Sequence, residues 1–539
     1  MITELYLDAN ATSPVLPAAA SAAMAAMQDC FGNPSSSHAT GLRARALREH
    51  VRACARRVLG APDGHLMFNS GATEGIQNAV LSALCAVRER RARAGAGGDN
   101  ETSIALVGAT EHKAVSESLA HWNRLLGTGL ELRVLPVDGE GRHRLEVLRE
   151  LAPRLAFVAT MAANNETGVV SDLDGIAAVL HETASPALWM VDCVQALGKL
   201  PLNLGASRID YAPFSGHKLY APKGIGMLYV RAGAPFTPLM CGGGQEDGLR
   251  SGTENMSGIA ALGAVLAALE RGDTFRGIES LNACRARLVD ALTRAFPGVV
   301  FNAPAAHALP TTINFSVPGV ASAELLELFD AAGMRVSAGS ACGASRAAPS
   351  HVLDAMGMPA WRSASAVRLS IGPLLDDATL DLACERIARC GAALALPAAS
   401  EGVASTASDI AADTVANTVA AADAAAPFDG APDADIELDA AALHGWLAAH
   451  PDAIVVDVRG PREHSVAGGA GQVRLHGRAA LNVPLARVAE HAPAWLGDDA
   501  RPLLFVCRSG ARSARAARTL RALGHPRARS LAGGFALAG

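Results

Sequence analysis

Residues 1 to about 396 alternate amphipathic helical stretches with short apolar runs, among them Ile104–Val107, Leu155–Ala159 and Leu188–Val191. That rhythm predicts a sheet of buried, largely parallel strands covered by helices. The clearest helix falls at Gly41–Leu59, where Leu47, Val51, Cys54 and Val58 recur at helical spacing while Arg43, Arg48, Arg52 and Arg56 take other faces. The arginines read as a solvated face, with a binding patch as the alternative. From Pro397 to Asp435 large apolar residues almost disappear in favour of Ala, Ser, Thr, Asp and Pro. Such a composition buries too little surface to offset the entropy of ordering, so a flexible linker is expected. Periodicity returns beyond it, with a helix near Ala440–Ala449, strands at Ala453–Val458 and Leu503–Val506, and a helix at Ser513–Leu523. The expected organisation is a large α/β domain at 1–396, a linker at 397–435 and a small α/β domain at 436–539.

Length agrees with that division, because 539 residues exceed the ~250 to 300 at which one core stops growing. Hydrophobic residues make up 50% but aromatics only 4%, and the mean hydropathy of +0.21 reflects alanine more than bulky side chains. No run approaches the ~20 apolar residues that span a bilayer. The first ten residues carry Glu4 and Asp8 instead of a basic start and an apolar stretch, so no secretory signal is expected and the cytoplasm is the expected setting. Lys and Arg number 47 against 52 Asp and Glu, a net charge of −5, which argues against direct nucleic-acid binding by phosphate neutralisation. Ten cysteines without a Cys-x-x-Cys pair suggest neither a disulfide framework nor a metal site. Most of them should be small buried hydrophobes.

Two cysteines and one lysine stand in other company. The apolar run Trp189-Met190-Val191 delivers Asp192 at its end, and Lys218 follows Ser215-Gly216-His217. A pyridoxal phosphate enzyme needs a lysine for the Schiff base and a carboxylate beside the pyridine nitrogen, and the C-terminal ends of strands are where open α/β sheets bind ligands. Asp192 and Lys218 fit those roles, against the alternative of an exposed loop lysine. Ser70-Gly71-Ala72-Thr73-Glu74 precedes a helical pattern, so its amides and the Thr73 hydroxyl can hold a phosphate, or it is an ordinary capping box.

In order along the first 375 residues stand Tyr6 to Thr12, Gly32-Asn33-Pro34 to His38, Ser70 to Glu74, Thr110-Glu111-His112-Lys113, Asn164 to Gly168, Asp192 to Gln195, Ser215 to Lys218, Arg250 to Thr253, Gly339 to Cys342 and Arg368 to Gly372. This ordered set resembles the NifS/IscS-like cysteine desulfurases of the class V aminotransferase family, and the resemblance implies the pyridoxal phosphate fold type I. It implies that Lys218 carries the cofactor and moves the substrate α-proton, and that His112 stacks on the ring and assists proton transfer. Asp192 would meet the pyridine nitrogen; Gln195 and Asn165 would bond the ring oxygen or position the substrate. Phosphate ligands would be Ala72, Thr73, Ser215 and His217, with Thr253 reaching the phosphate of a neighbouring subunit in a homodimer. Arg368 would hold the carboxylate of L-cysteine through its planar fork, a structural salt bridge being the alternative. Cys342, in a run of small residues, would take the substrate's sulfur as a persulfide; a buried inert cysteine is the alternative. Asp8-Ala9-Asn10, where many members read Asp-Asn-Ala, departs from the family pattern.

The second cysteine ends the strand at Phe505-Val506 and opens Cys507-Arg508-Ser509-Gly510-Ala511-Arg512 before a helix. Inward amides and two guanidinium groups favour an anionic thiolate or persulfide. With Val455 to Arg459, Leu481 to Leu485 and Leu531 to Gly534, this half resembles a single-domain rhodanese. Its persulfide loop is Cys507, Arg508, Gly510 and Arg512, with the sulfurtransferase spacing; Asp457 and Arg459 read as structural, and the closing helix as curtailed. The expected function is a cysteine desulfurase that passes sulfur from Cys342 to Cys507, across a linker whose r.m.s. reach is about 35 Å. Expected acceptors are iron-sulfur scaffold, tRNA-thiolation or molybdenum-cofactor proteins. The alternatives are a rhodanese domain that only docks acceptors, or a selenocysteine lyase.

Overall fold

The computed structural model describes residues 4–94, 103–339, 350–395, 436–468, 472–496 and 501–538. Cys342 and the expected linker lie outside the described residues.

Seven strands build the large sheet: β1 (His65–Asn69), β2 (Ile104–Gly108), β3 (Glu131–Leu135), β4 (Leu155–Met161), β5 (Leu188–Asp192), β6 (Tyr211–Ser215) and β7 (Gly226–Val230). Their order is β1-β7-β6-β5-β4-β2-β3. All neighbours are parallel except β7, which runs antiparallel to β1 and to β6. Strands β2 and β4 are buried along their whole length, the pattern of a parallel sheet covered on both faces. Separate apolar clusters occupy those faces, one around Trp189 and Phe214 and the other around Phe157 and Tyr211.

The predicted first helix is α1 (Ala39–Val58), begun two residues early because the His38 ring accepts the Gly41 N–H as an N-cap. Three of the four arginines correct the expectation of a solvated face, while Arg43 is exposed as expected. Arg52 pairs with Glu246 at 2.9 and 3.0 Å, Arg48 pairs with Glu254, and Arg56 donates to the carbonyls of Pro62 and Gly64. The carboxylates that hold Arg48 and Arg52 lie far along the chain, beyond the reach of a periodicity argument. Helix α2 (Ala72–Ala94) follows β1 directly, and α3 (Lys113–Leu126) follows β2.

A smaller antiparallel sheet, β8 (Val300–Phe301), β9 (Thr312–Ser316) and β10 (Val367–Ser370), has the order β10-β9-β8. It packs with α4 (Ser322–Ala331) and α5 (Asp377–Leu394) around Phe296, Phe315 and Phe329.

The C-terminal sheet comprises β11 (Glu437–Leu438), β12 (Ile454–Asp457), β13 (Arg474–Leu475), β14 (Arg478–Asn482), β15 (Leu503–Val506) and β16 (Ala528–Leu531), ordered β11-β16-β15-β12-β14-β13. Among the described residues, only the β13–β14 pair is antiparallel. Helix α6 (Pro461–Gly468) follows β12, and α7 (Ala511–Ala522) follows β15. Helix α7 begins earlier than its apolar pattern predicts, because Gly510 at φ 94° turns the chain straight into it. The closing helix is a single turn, Gly534–Leu537.

Candidate active site

Strands β5 and β6 are parallel neighbours that end on Asp192 and Ser215, and a 3-10 turn at Gly216–Lys218 continues β6. Both chemical groups read from the sequence therefore emerge at one edge of the sheet. Beside them β1 turns at Gly71, whose φ of 147° is open to glycine but strained for other residues, and enters α2 at Ala72. Together these ends enclose a cavity of about 480 Å³, lined among others by Ala72, Thr73, His112, Asn165, Asp192, Gln195, Ser215, His217, Lys218 and Arg368. That size is typical of a small-molecule cofactor site. Of the residues expected in the pyridoxal phosphate site, Thr253 is the one that lines a separate, adjoining cavity of about 220 Å³.

Burial sets the charges in this cavity. The Asp192 carboxyl is raised to about 6 by desolvation, offset by the Val194 N–H it accepts at 2.9 Å and by Lys218. His112 is held below the ordinary histidine value, first by burial and then by the Lys218 charge, and its Nδ1 accepts the Ala114 N–H as the N-cap of α3. His217 is lowered to about 4 by burial and two lysines, with Nδ1 3.1 Å from the Thr12 hydroxyl. Lys218 Nζ donates to the carbonyls of Asn10 and Ala11, both at 2.8 Å. Arg368, 1% exposed, pairs with Asp8 at 2.6 Å and donates to the Asn165 carbonyl at 2.9 Å. Arg368 is thus ion-paired with Asp8 and at the same time lines the cavity. At the α2 terminus Glu74 accepts the Ser70 N–H as in a capping box, while Ala72 and Thr73 line the cavity.

The residue set fits pyridoxal phosphate: an amine for the aldehyde, a carboxylate for the ring nitrogen, and amides at a helix N-terminus for the phosphate.

Three neighbouring side chains escaped the sequence reading. Asn10 is a hub, since its carbonyl accepts from Lys218 and Gln195 while its amide donates to the Asn165 carbonyl and to the Thr312 hydroxyl. Lys199 is buried, lowered to about 7 by desolvation and then Lys218, and donates to Gln195 Oε1 at 2.6 Å. As an ammonium Lys199 only donates, so with Oε1 turned to it the Gln195 amide presents Nε2 to the Asn10 carbonyl. Glu111 is buried behind Asp192, and burial together with the Asp192 charge pushes its carboxyl well up. The unusual Asp8-Ala9-Asn10 order was the one sequence signal for Asn10.

In the C-terminal sheet, Cys507 follows β15 at the mouth of the loop feeding α7 and is 1% exposed. Its Sγ lies 3.4 Å from both the N–H and the hydroxyl of Ser513, which also receives the Ser530 hydroxyl. The loop arginines face carboxylates: Arg512 pairs with Glu463 at 2.7 and 2.9 Å, and Arg508 with Asp330 at 2.8 Å. Arg459 and Asp457 form a buried bidentate pair. Of the expected spectator cysteines, Cys54, Cys193, Cys284 and Cys390 are buried, but Cys241 is exposed.

No helix among the described residues is long and apolar enough to cross a membrane. The model of the class V aminotransferases matches residues 5–382, and that of the rhodanese-like domain residues 439–537. Relatives named cysteine desulfurase include one from Gluconacetobacter diazotrophicus, 39% identical over 379 residues, covering 70% of this chain and 90% of the relative. Another, from Bradyrhizobium diazoefficiens, is 39% identical over 370 residues, covering 68% and 89%. A solved NifS-like protein superposes with a TM-score of 0.63 at 30% identity, covering 72% of this chain and 98% of its own. The chain therefore belongs to the class V aminotransferase family, among its pyridoxal phosphate-dependent cysteine desulfurases, and carries a rhodanese-like domain on its C-terminal side.

Proposed function

We propose that the enzyme converts L-cysteine to L-alanine at the Lys218 cavity, stores the sulfur as a persulfide on Cys342, and passes it to Cys507 for delivery to biosynthetic acceptors. The observation that carries the reading is the convergence of Lys218, Asp192, His112 and the α2 N-terminus on one cavity, with Arg368 across from them. The cofactor, when bound, supplies an electron sink for the substrate's α-carbon. Lys218 moves the α-proton, Arg368 orients the substrate carboxylate, and Asp192 keeps the ring nitrogen protonated. The Cys342 thiolate attacks the substrate sulfur, whose bond to carbon breaks with its electron pair left on the carbon skeleton; that skeleton takes up protons and leaves as alanine. The Cys507 thiolate then attacks the outer persulfide sulfur and Cys342 departs as thiolate, so the relay needs no outside oxidant.

The division into a catalytic unit at 1–396, a tether at 397–435 and a sulfurtransferase unit at 436–539 belongs to the same proposal. So do a cytoplasmic setting, a homodimer in which Thr253 serves the partner's phosphate, and iron-sulfur, tRNA-thiolation or molybdenum-cofactor proteins as acceptors. Purified enzyme should show a visible absorbance band near roughly 400 nm and release alanine from cysteine. With sulfur-labelled cysteine, label should reach both Cys342 and Cys507, and Cys342→Ala should leave both unlabelled. Turnover without label on Cys507 would refute the relay while leaving the desulfurase intact.

A further inference from the structure

Helix α4 carries Glu324, Glu327 and Asp330, spaced three apart and so aligned in one acidic stripe. Each carboxylate faces an arginine of the rhodanese-like domain. Glu324 pairs with Arg462 at 2.5 Å, Glu327 stands 3.8 Å from Arg512, and Asp330 pairs with Arg508 at 2.8 Å. Two of those arginines belong to the Cys507 loop. An apolar contact runs beside the ion pairs: α6 packs on α4 and α5, and its Val466, 2% exposed, sits in one cluster with Leu325, Leu328, Ala383 and Ile387. Burial and the nearby Glu463 charge raise the Glu327 carboxyl, as expected where two carboxylates share Arg512.

We propose that the acidic stripe of α4 is the docking surface for the Cys507 loop, and that in the docked state its carboxylates occupy the loop's anion-binding edge and turn away free anionic sulfur donors of the thiosulfate type. The argument is one of charge balance. Arg508 and Arg512 are cations that would hold an incoming anion, and three carboxylates already face them: Glu463, Glu327 and Asp330, the last shared with Arg335 at 2.8 Å, so that three carboxylates and three arginines balance. Docking thus makes the loop selective against anions that arrive from solution. Neither the docking surface nor the selectivity depends on whether Cys507 receives sulfur from Cys342.

The test is alkylation of Cys507 in the full-length, cofactor-loaded enzyme, in which the thiolate displaces iodide from either iodoacetate, an anion, or iodoacetamide, which is neutral. Peptide mass spectrometry reads the rate at Cys507 alone. In Glu324→Gln/Glu327→Gln the ratio of iodoacetate to iodoacetamide rates should rise roughly fivefold over wild type, the scale of partly exposed ion pairs. Salt of about 0.5 M should raise the wild-type ratio toward the variant's by screening. Val466→Ser, which leaves every charge in place, should raise it by loosening the apolar contact. A ratio unchanged in both variants would overturn the proposal. Alanine release from cysteine, followed on the same samples, should stay at the wild-type rate and certifies that the catalytic part is folded.

Discussion

The Lys218 cavity and the Cys507 loop share one arrangement, a lysine or a cysteine just past the C-terminal end of a parallel strand beside the start of a helix, but they manage charge in opposite ways. In the cavity, burial holds Asp192 up at about 6 and Lys199 down at about 7, with partners that are mostly carbonyls and amides. At the loop, arginines are matched by carboxylates, Arg512 by Glu463 and Arg508 by Asp330. Desolvation responds to protons and little to salt, whereas partly exposed ion pairs respond to salt. The two regions should therefore answer to different solution variables.

The sharpest break of the first region is Lys218→Ala. Loss of the amine should remove the visible band and lower alanine release by on the order of 10³-fold or more. Alkylation of Cys507 should be unaffected, and a parallel change there would mean that the regions are not separate.

A pH experiment isolates burial. His143, buried beside Gly108 and Glu111, is lowered to about 4 from the ordinary 6.5, with desolvation the first cause and Asp138 opposing it. Between those two values the unfolded chain binds the proton and the folded chain does not, so stability rises with pH across the window and is flat above it. The contribution at pH 7 relative to pH 4 is up to about 3 kcal/mol in the folded state's disfavour at the acid end. Urea midpoints of wild type should fall on acidification more than those of His143→Leu. Equal falls would show that this burial does not set the pH response.

Local chemistry was legible in the sequence, and tertiary chemistry was not. Asp192 and Lys218 could be read because each ends or follows an apolar run, and Cys507 because its loop spacing is compact; the strands at Leu155, Leu188 and Leu503 were marked by uninterrupted apolar residues. Asn10 was invisible as a hub because Lys218 and Gln195 reach it across 208 and 185 residues of chain. Lys199 sits in no motif of its own. Arg48 and Arg52 of α1 looked solvated because their partners, Glu254 and Glu246, lie about 200 residues along the chain and folding alone brings them near. The acidic stripe of α4 follows a three-residue period on an ordinary amphipathic helix, and only the C-terminal half gives it meaning.

Arg368 lies between the two modes of charge control, fully buried yet ion-paired with Asp8. Arg368→Lys keeps the charge that Asp8 requires but loses the planar fork. KM for cysteine should rise about tenfold with a smaller change in kcat, the signature of weakened carboxylate binding. An equal fall in kcat with KM constant would instead make Arg368 a part of the scaffold.

The smallest effect lies at Arg462, which belongs to neither the loop nor the cavity and reaches α4 through Glu324. If docking is what links the regions, Arg462→Gln should speed iodoacetamide alkylation of Cys507 by only roughly twofold at low salt, as one partly exposed ion pair allows. The gain should fade as salt rises, since screening removes in wild type what the substitution removes in the variant. Glu324→Gln should produce a gain in the same direction, and the double variant should fall short of the sum of the two, because the Arg462–Glu324 pair is common to both. Additive gains would mean that the two side chains act on Cys507 separately, and the salt sensitivity of the loop would then have to arise within the C-terminal half alone.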